Sequence, residues 1–524
     1  MDDHIGRSDR GRGEQLPEEA HAIARSMLSR DDPGLYWGGT KLPSDIASKH
    51  FVVMGNTGSG KTITMRLLMQ SALRAVGSKN NPHYRQGHRV LVYDAKQEYL
   101  PLIAGLRLSC PVVTLHPFDV REGEGGITSA AWDMAADIIS PLSAQQVASI
   151  LIPDNPKESQ PFFTKTARNL LRGVFIAFLY KYQQEKQKNV HAPSWTFRDV
   201  LLAMRSREYM DAVLNSCPFT EDMTEYTSDR RLYDNIRAGI LTFLADYEPI
   251  AAAWHHAYQA GRSVSLHDWL QGEYVLVLGS HEASRSALDA INRVLFKRLT
   301  ELILAQPTPS ADAPSRTWVF FDEVREAGKL DGLSRLLNQG RSKGACVVLG
   351  FQDIEGMREV YGPYVANELI GQCGNKALLR VDSPEMAEWA SNLAGTKEAM
   401  EEGASVFFGF KRMFQGSVSQ YMERKLLLPS ELMGFRPTSR QNGLTGYYIV
   451  PDLNFPFRYT EQGERLFDKL LEQPDVATSP LCPCPPAHEF LDMTYSDLGR
   501  LGFSVPNTSE VLYKPLRRTG LGED

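Results

Sequence analysis

Cysteine is scarce in this chain: 524 residues carry Cys110, Cys217, Cys346, Cys373, Cys482 and Cys484. They are scattered and form no Cys-x-x-Cys pair, which excludes a disulfide framework and predicts a reduced, cytosolic setting. Cys482-Pro483-Cys484 is the one close pair, and it lacks the four-ligand set that a structural metal site needs. Long apolar runs are missing too. The best candidate, residues 170–180, is too short to cross a bilayer and contains Arg172, so it reads as a buried helix and no direct membrane span is expected. Residues 1–32 are rich in Arg, Asp, Glu and His, which excludes a secretory signal. Positive charge is not in excess. The formal net charge is −6, which argues against a basic coat while leaving a local basic channel open.

Against these absences, 42% hydrophobic and 23% charged residues give ample material for a core, and the length suggests two to four domains. One stretch dominates the rest: Gly55-Asn56-Thr57-Gly58-Ser59-Gly60-Lys61-Thr62. It fits G-x-x-x-x-G-K-[ST], preceded by the apolar strand Phe51-Val52-Val53-Met54 and followed by a helical pattern from Ile63 to Ala75. Glycines let the backbone curl so that N–H groups point inward, and the helix N-terminus adds partial positive charge. Lys61 is placed to reach β- and γ-phosphates and Thr62 to bind Mg²⁺, so ATP and Mg²⁺ are the expected ligands.

Strand-like runs recur at Arg89-Val90-Leu91-Val92-Tyr93-Asp94 and Pro111-Val112-Val113-Thr114-Leu115, which with intervening helices indicates a parallel α/β sheet. Between about residues 140 and 262 strands nearly vanish. Helical patterns cover 144–152, 162–187, 196–206, 207–216 and 229–247, which reads as an inserted all-α domain. The α/β pattern returns with the strand Glu273-Tyr274-Val275-Leu276-Val277-Leu278 and a long helix over 287–305.

Trp318-Val319-Phe320-Phe321-Asp322-Glu323 is a Walker B pattern. A strand of this kind presents Asp322 to hold Mg²⁺ and Glu323 to orient and deprotonate water. After a helix over 332–339 come Gly340-Arg341-Ser342-Lys343-Gly344 and a strand over 346–350 leading to Phe351-Gln352-Asp353. Gln352 at that strand's tip is suited to sense a γ-phosphate. Arg341, before the strand, fits a neighbour's site better than its own, as an arginine finger acting in trans; a solvated surface charge is the plain alternative. Further strands are expected at 377–381 and 446–450.

These motifs, together with Asp94-Ala95-Lys96-Gln97-Glu98, Ala387-Glu388-Trp389-Ala390-Ser391 and Leu426-Leu427-Leu428-Pro429-Ser430-Glu431, resemble the cytoplasmic ATPase of type IV secretion coupling proteins. That is the TraD/TrwB-like group within the HerA–FtsK class of motors. The resemblance covers roughly residues 35–460. It implies a RecA-like P-loop NTPase core, a mainly parallel sheet flanked by helices, with an inserted all-α domain. The expected divisions are a polar arm (1–34), the motor domain in two parts (35–139 and 265–470), the helical insertion (140–264) and a Pro-rich linker with tail (471–524). The resemblance also implies a hexameric ring with ATP sites between subunits and DNA drawn through its centre. By motif position, Lys61, Thr62, Asp322, Glu323, Arg341 and Gln352 take the roles argued above.

Two departures stand out. The family usually reads Asp-Pro-Lys-Gly-Glu where this chain has Asp94-Ala95-Lys96-Gln97-Glu98. Its members normally begin with transmembrane helices, so the expectation here is a separate membrane-anchor protein or a soluble relative in a mobile element or defence system. Relaxase and secretion-channel proteins are the implied partners, with a cytoplasmic location, peripheral to the inner membrane through a partner. For DNA contact, Lys165, Arg168 and Arg172 share a helix face at i, i+3, i+7, and Arg230, Arg231 and Arg237 form a similar group; solvated faces are the ordinary reading of both. Residues 472–487 read as an extended linker and 489–503 as a short helix. Two other functions compete with a DNA-translocating motor: a HerA-like motor working with a nuclease on DNA ends, and a nucleotide-dependent hub recruiting relaxase or effector cargo.

Overall fold

The structure is a computed structural model. It describes residues 10–11, 13–76, 88–96, 98–116, 127–154, 161–187, 194–272, 274–282, 285–309, 315–409, 412–474 and 493–503. Gln97, Cys482, Cys484 and most of the Pro-rich stretch lie outside these residues. The chain divides into two compact units, Met1–Ser129 with Leu266–Pro480, and Ala130–Ser265 with Leu481–Asp524.

The first unit is built on a 10-stranded sheet. Its strands, in chain order, are β1 (Phe51–Met54), β2 (Arg89–Asp94), β3 (Val112–Thr114), β4 (Ile127–Ser129), β5 (Val275–Gly279), β6 (Thr317–Phe321), β7 (Ala345–Phe351) and β8 (Asn375–Leu378). A long hairpin, β9 (Thr396–Gly409) and β10 (Arg412–Lys425), follows outside this sheet. Then β11 (Leu444–Ile449) and β12 (Phe457–Glu461) complete it. Across the sheet the order is β12-β11-β8-β1-β7-β6-β2-β5-β3-β4. Every neighbouring pair from β8 to β4 is parallel, and β11 and β12 close one edge antiparallel.

The parallel strands are apolar on both faces because helices cover both. β1, β6 and β7 are buried at every position. Trp318 and Phe320 of β6 stack at 5.7 Å in the core. Burial of side chains this size contributes about 2–3 kcal/mol each.

The second unit is helical. Its main helices are Pro141–Leu151, Pro161–Gln187, Phe197–Arg205, Arg207–Leu214, Arg230–Leu244 and Glu248–Gln259. Short polar side chains start them: Ser140, Thr196, Ser206 and Asp229 each accept a hydrogen bond from a first-turn N–H. The helix Pro161–Gln187 is buried almost all round from Leu170 to Leu179, which explains its apolar run. Glu248–Gln259 carries the alanine-rich run Ala251-Ala252-Ala253, whose pattern the sequence reading did not assign. Two features differ from the expected divisions. The unit begins at Ala130, because Ala131–Trp132 pairs in parallel with Ser263–Val264 and ties its two ends together. Residues 493–503 belong to it: Arg500 pairs with Asp199 at 2.6 Å, and the Phe503 ring meets Phe178 edge-on at 5.1 Å.

Candidate nucleotide site

Strand order decides what meets here. β7 lies between β1, which feeds the P-loop, and β6, which carries the acids. All three run in the same direction, so the P-loop, Gln352 and Asp322-Glu323 emerge side by side at the C-terminal edge of the sheet, the ligand side of an open α/β fold.

Lys61 heads the helix Lys61–Ala72 and is 5% exposed. Its ammonium donates to the Asp322 carbonyl oxygen at 2.6 Å and lies 3.2 Å from Asp322 Oδ1 and 3.3 Å from Glu323 Oε2. Both carboxylates are buried, at 2% and 6% exposed. Among the described residues Asp322 Oδ2 meets no hydrogen-bond partner in good geometry, while the Tyr99 phenol interacts with the same carboxylate. That fits a cation held by Asp322 and the Thr62 hydroxyl in the same first turn. No described group of three or more His, Cys, Asp and Glu forms a cation cage by itself.

The P-loop is held from both sides. The Gly55 N–H donates to the Phe351 carbonyl at 3.3 Å, and the Asn56 N–H to the Arg380 carbonyl at 3.0 Å. The Asn56 amide donates to Asp382 at 2.9 Å. On the other flank the Thr438 N–H donates to the Gly58 carbonyl at 2.8 Å, and the Thr438 hydroxyl to the Ser59 carbonyl at 2.8 Å. Gly60 sits under this clamp with φ +93°, where a Cβ would stand 2.6 Å from Thr438 Oγ1 and 2.3 Å from Leu444 Cδ1. Thr57 and Gly58 at the apex are exposed, whereas Ser59 is buried.

Gly350, near the end of β7, lies in the stretch Leu349–Asp353 that resembles the family, without a role assigned to it from the sequence. A Cβ there would lie 2.2 Å from the Asp322 carbonyl, the group that receives Lys61. Asp94, at the end of β2, accepts from the N–H groups of Glu98 and Tyr99 at 2.9 and 2.8 Å, at the start of the helix Tyr99–Gly105. Burial first, with the Asp322 and Asp94 charges beside it, pushes the Tyr99 phenol well above its ordinary range. Beyond Glu323 and Gln352 opens a cleft of about 420 Å³ walled by Lys96, Ser280, Glu282, Arg325 and Glu326.

Arg341 is not part of this cluster. It is exposed on the 3-10 turn Gly340–Lys343 at the N-terminal end of β7, with the seven residues of that strand between it and Gln352. The helical row expected to offer cations is largely engaged within its own unit. Arg168 donates to the Ile152 carbonyl at 2.8 Å and pairs with Asp154 at 2.7 Å, and Arg172 donates to Gln145 at 3.1 Å. Arg237 donates to the Arg205 carbonyl at 3.0 Å, while Lys165 remains exposed.

A family model described as the type IV secretion-system coupling protein DNA-binding domain matches residues 35–457. The chain belongs to this family. The coupling protein TraD of Escherichia coli (strain K12) is 23% identical over 427 residues, covering 79% of this chain and 54% of TraD. The conjugal transfer protein TraG of Agrobacterium fabrum is 20% identical, covering 81% of this chain and 63% of TraG. The chain thus spans between about half and two-thirds of the length of these coupling proteins. Among solved structures, the unbound monoclinic form of the bacterial conjugative coupling protein TrwBdeltaN70 superposes with a TM-score of 0.62 at 17% identity, covering 90% of this chain and 95% of that one. The plasmid coupling protein TrwB in complex with ADP and Mg²⁺ does so with a TM-score of 0.61, also at 17% identity and with 90% and 95% covered. The fold is therefore that of a RecA-like NTPase core with an all-α domain. Among the described residues no helix is long and apolar enough to cross a membrane.

Proposed function

We propose that this coupling-protein family member is an ATP-hydrolysing ring motor, a hexamer, that binds and translocates DNA in conjugative transfer or a related mobile-element system. One observation carries the reading: the Lys61 ammonium meets both Walker B carboxylates at one buried point. Lys61 exchanges carboxylate and carbonyl acceptors for the β- and γ-phosphate oxygens of ATP, with the P-loop N–H groups around them. Thr62 and Asp322 hold Mg²⁺, which when bound supplies positive charge at the same phosphates. Glu323 orients the attacking water and accepts its proton. Gln352, between the P-loop and the acids, responds to the γ-phosphate. Relaxase and secretion-channel proteins are the partners that coupling would require.

The test is the steady-state ATPase rate with added single- and double-stranded DNA, with Lys61→Ala as control. Stimulation by DNA that disappears in the control is the expected result. A rate indifferent to DNA overturns the motor and favours a hub that recruits cargo.

A further inference from the structure

We propose that Tyr99 is a positioning residue for the Asp322 carboxylate and that Asp94 sets it in place; this rests on the reading above that Asp322 holds Mg²⁺. Strand β2 lies beside β6 in parallel, with Tyr93 paired to Phe321. One residue further along each strand come Asp94 and Asp322, so the two acids leave adjacent strand tips at the same level. Both are buried. Carboxylates so placed repel one another and have lost their water, so each needs donors of its own. Lys61 approaches Asp322 from the P-loop side. Asp94 takes its donors from the backbone that follows it.

The two Asp94 oxygens are divided between two N–H groups. Oδ1 accepts from Glu98 at 2.9 Å and Oδ2 from Tyr99 at 2.8 Å. These bonds close the loop after β2 and fix the backbone at residue 99, which sets where its ring can go. Tyr99 is 1% exposed and packed in the core, so the ring has no room to swing. Its hydroxyl ends 3.8 Å from Met65 Sδ and meets the Asp322 carboxylate. Met65 stands one turn after Lys61 on the P-loop helix. The hydroxyl therefore lies where that helix faces the tip of β6. A buried phenol needs an acceptor. The thioether is a weak one, and the Asp322 carboxylate is the strong one. Gly350 keeps this gap narrow, since a Cβ there would stand 3.0 Å from Met65 Sδ.

The two donors around Asp322 differ in what holds them. Lys61 belongs to the P-loop helix and turns to the phosphates of a bound nucleotide, which takes its ammonium from Asp322. Tyr99 is anchored from β2 through Asp94 and by the core around its ring, and no phosphate draws it away. Its hydroxyl is the donor that remains on the carboxylate. A donor fixed behind a ligating carboxylate keeps the other lone pairs aimed at the cation, and removing such a donor weakens metal binding roughly 10- to 100-fold. Asp94 thereby acts on the cation at one remove, through the placement of a single phenol.

The test is Tyr99→Phe, which removes the hydroxyl and keeps the ring. Mn²⁺ is the probe, and its binding to the full chain with ADP is followed by the electron paramagnetic resonance signal of the free ion. The expected result is Mn²⁺ affinity weakened roughly tenfold or more, with the affinity for mant-ADP in EDTA and the melting temperature close to wild type. Asp94→Asn is expected to weaken Mn²⁺ binding as well, and the double variant to lose no more than the larger single loss, because both act through one hydroxyl. Losses that add in the double variant remove Asp94 from the arrangement. Unchanged Mn²⁺ affinity in Tyr99→Phe, alongside a loss in Asp322→Asn, overturns the role of Tyr99 and leaves the nucleotide site standing. If Asp322→Asn binds Mn²⁺ as wild type does, the reading of Asp322 falls and the proposal with it. An equal loss of mant-ADP affinity in EDTA means that the whole site is distorted, and overturns a role confined to the cation.

Discussion

His50 shows how a single residue carries both structure and pH response. It precedes β1 with φ 55°, a conformation few non-glycine residues adopt. Its ring joins two elements: the Val347 N–H donates to Nδ1 at 3.1 Å, and Nε2 meets the Leu337 carbonyl at 2.9 Å. Those partners require a neutral ring with the proton on Nε2. Burial first, then the nearby Arg341 charge, pushes its pKa down to about 4 from 6.5. The unfolded chain therefore binds this proton more readily between those values. The stabilising contribution is complete above about pH 6.5 and is lost as pH falls towards 4, amounting to about 3 kcal/mol in all. His50→Asn keeps a short polar side chain and removes the titration. Its melting temperature, lower than wild type at pH 7, is expected to fall less steeply on acidification; parallel curves would remove His50 as the cause. At the site itself, Glu323→Gln is expected to keep ATP binding, measured by equilibrium titration, and to slow hydrolysis at least about 100-fold. Undiminished turnover would take Glu323 out of the chemistry.

Among the elements, β7 and the loop before β11 decide how accurately the site is built. Gly350→Ala drives a methyl group against the Asp322 carbonyl, so β6 and β7 have to separate. The expected cost is about 1–3 kcal/mol, read as a lower denaturation midpoint, together with weaker nucleotide binding. Thr438→Val keeps the shape of the clamp and loses the hydroxyl bond to Ser59. Nucleotide affinity is expected to drop roughly fivefold with little change in melting temperature, and Thr438→Ser to restore it; an equal loss in both variants would show that packing, not the hydrogen bond, matters. Neither residue's packing role was legible in the sequence. Motif reading finds groups whose chemistry needs a fixed local spacing, such as Gly55–Thr62 or Phe320-Phe321-Asp322-Glu323. Thr438 lies 379 residues from its partner Ser59, and Gly350 matters through a neighbouring strand, so both depend on strand order that no local pattern encodes. The β9–β10 hairpin escaped for another reason: Gly403-Ala404-Ser405 and Gly416-Ser417 break the apolar alternation by which strands are read. The parallel sheet and the helical unit were legible because their periodicities extend over whole elements.

At the scale of the whole molecule, the proposed ring would need two neighbouring chains at each site. Arg341 stands at the opposite edge of the sheet from Lys61, beyond side-chain reach across a strand of seven residues, roughly 20 Å. It is exposed and next to Lys343, and the nucleotide edge carries Glu282, Glu323 and Glu326 around an open cleft. A head-to-tail ring brings opposite edges of neighbouring subunits together, and closes if the rotation between them is a simple fraction of a turn. In such a ring Arg341 of one subunit completes the charge around the phosphates of the next, which is where a guanidinium lowers the barrier most. Arg341→Ala should therefore fold and bind nucleotide normally while losing turnover. Mixed with wild type it should remove more activity than its share, because each altered chain disables its neighbour's site. If hydrolysis passes in sequence around six sites, an equal mixture retains on the order of a few per cent of the wild-type rate. ATPase activity followed against mole fraction at fixed total protein distinguishes the cases. A steeply sagging curve supports a finger acting between subunits, and a straight line means that each chain hydrolyses ATP alone and Arg341 is a surface charge.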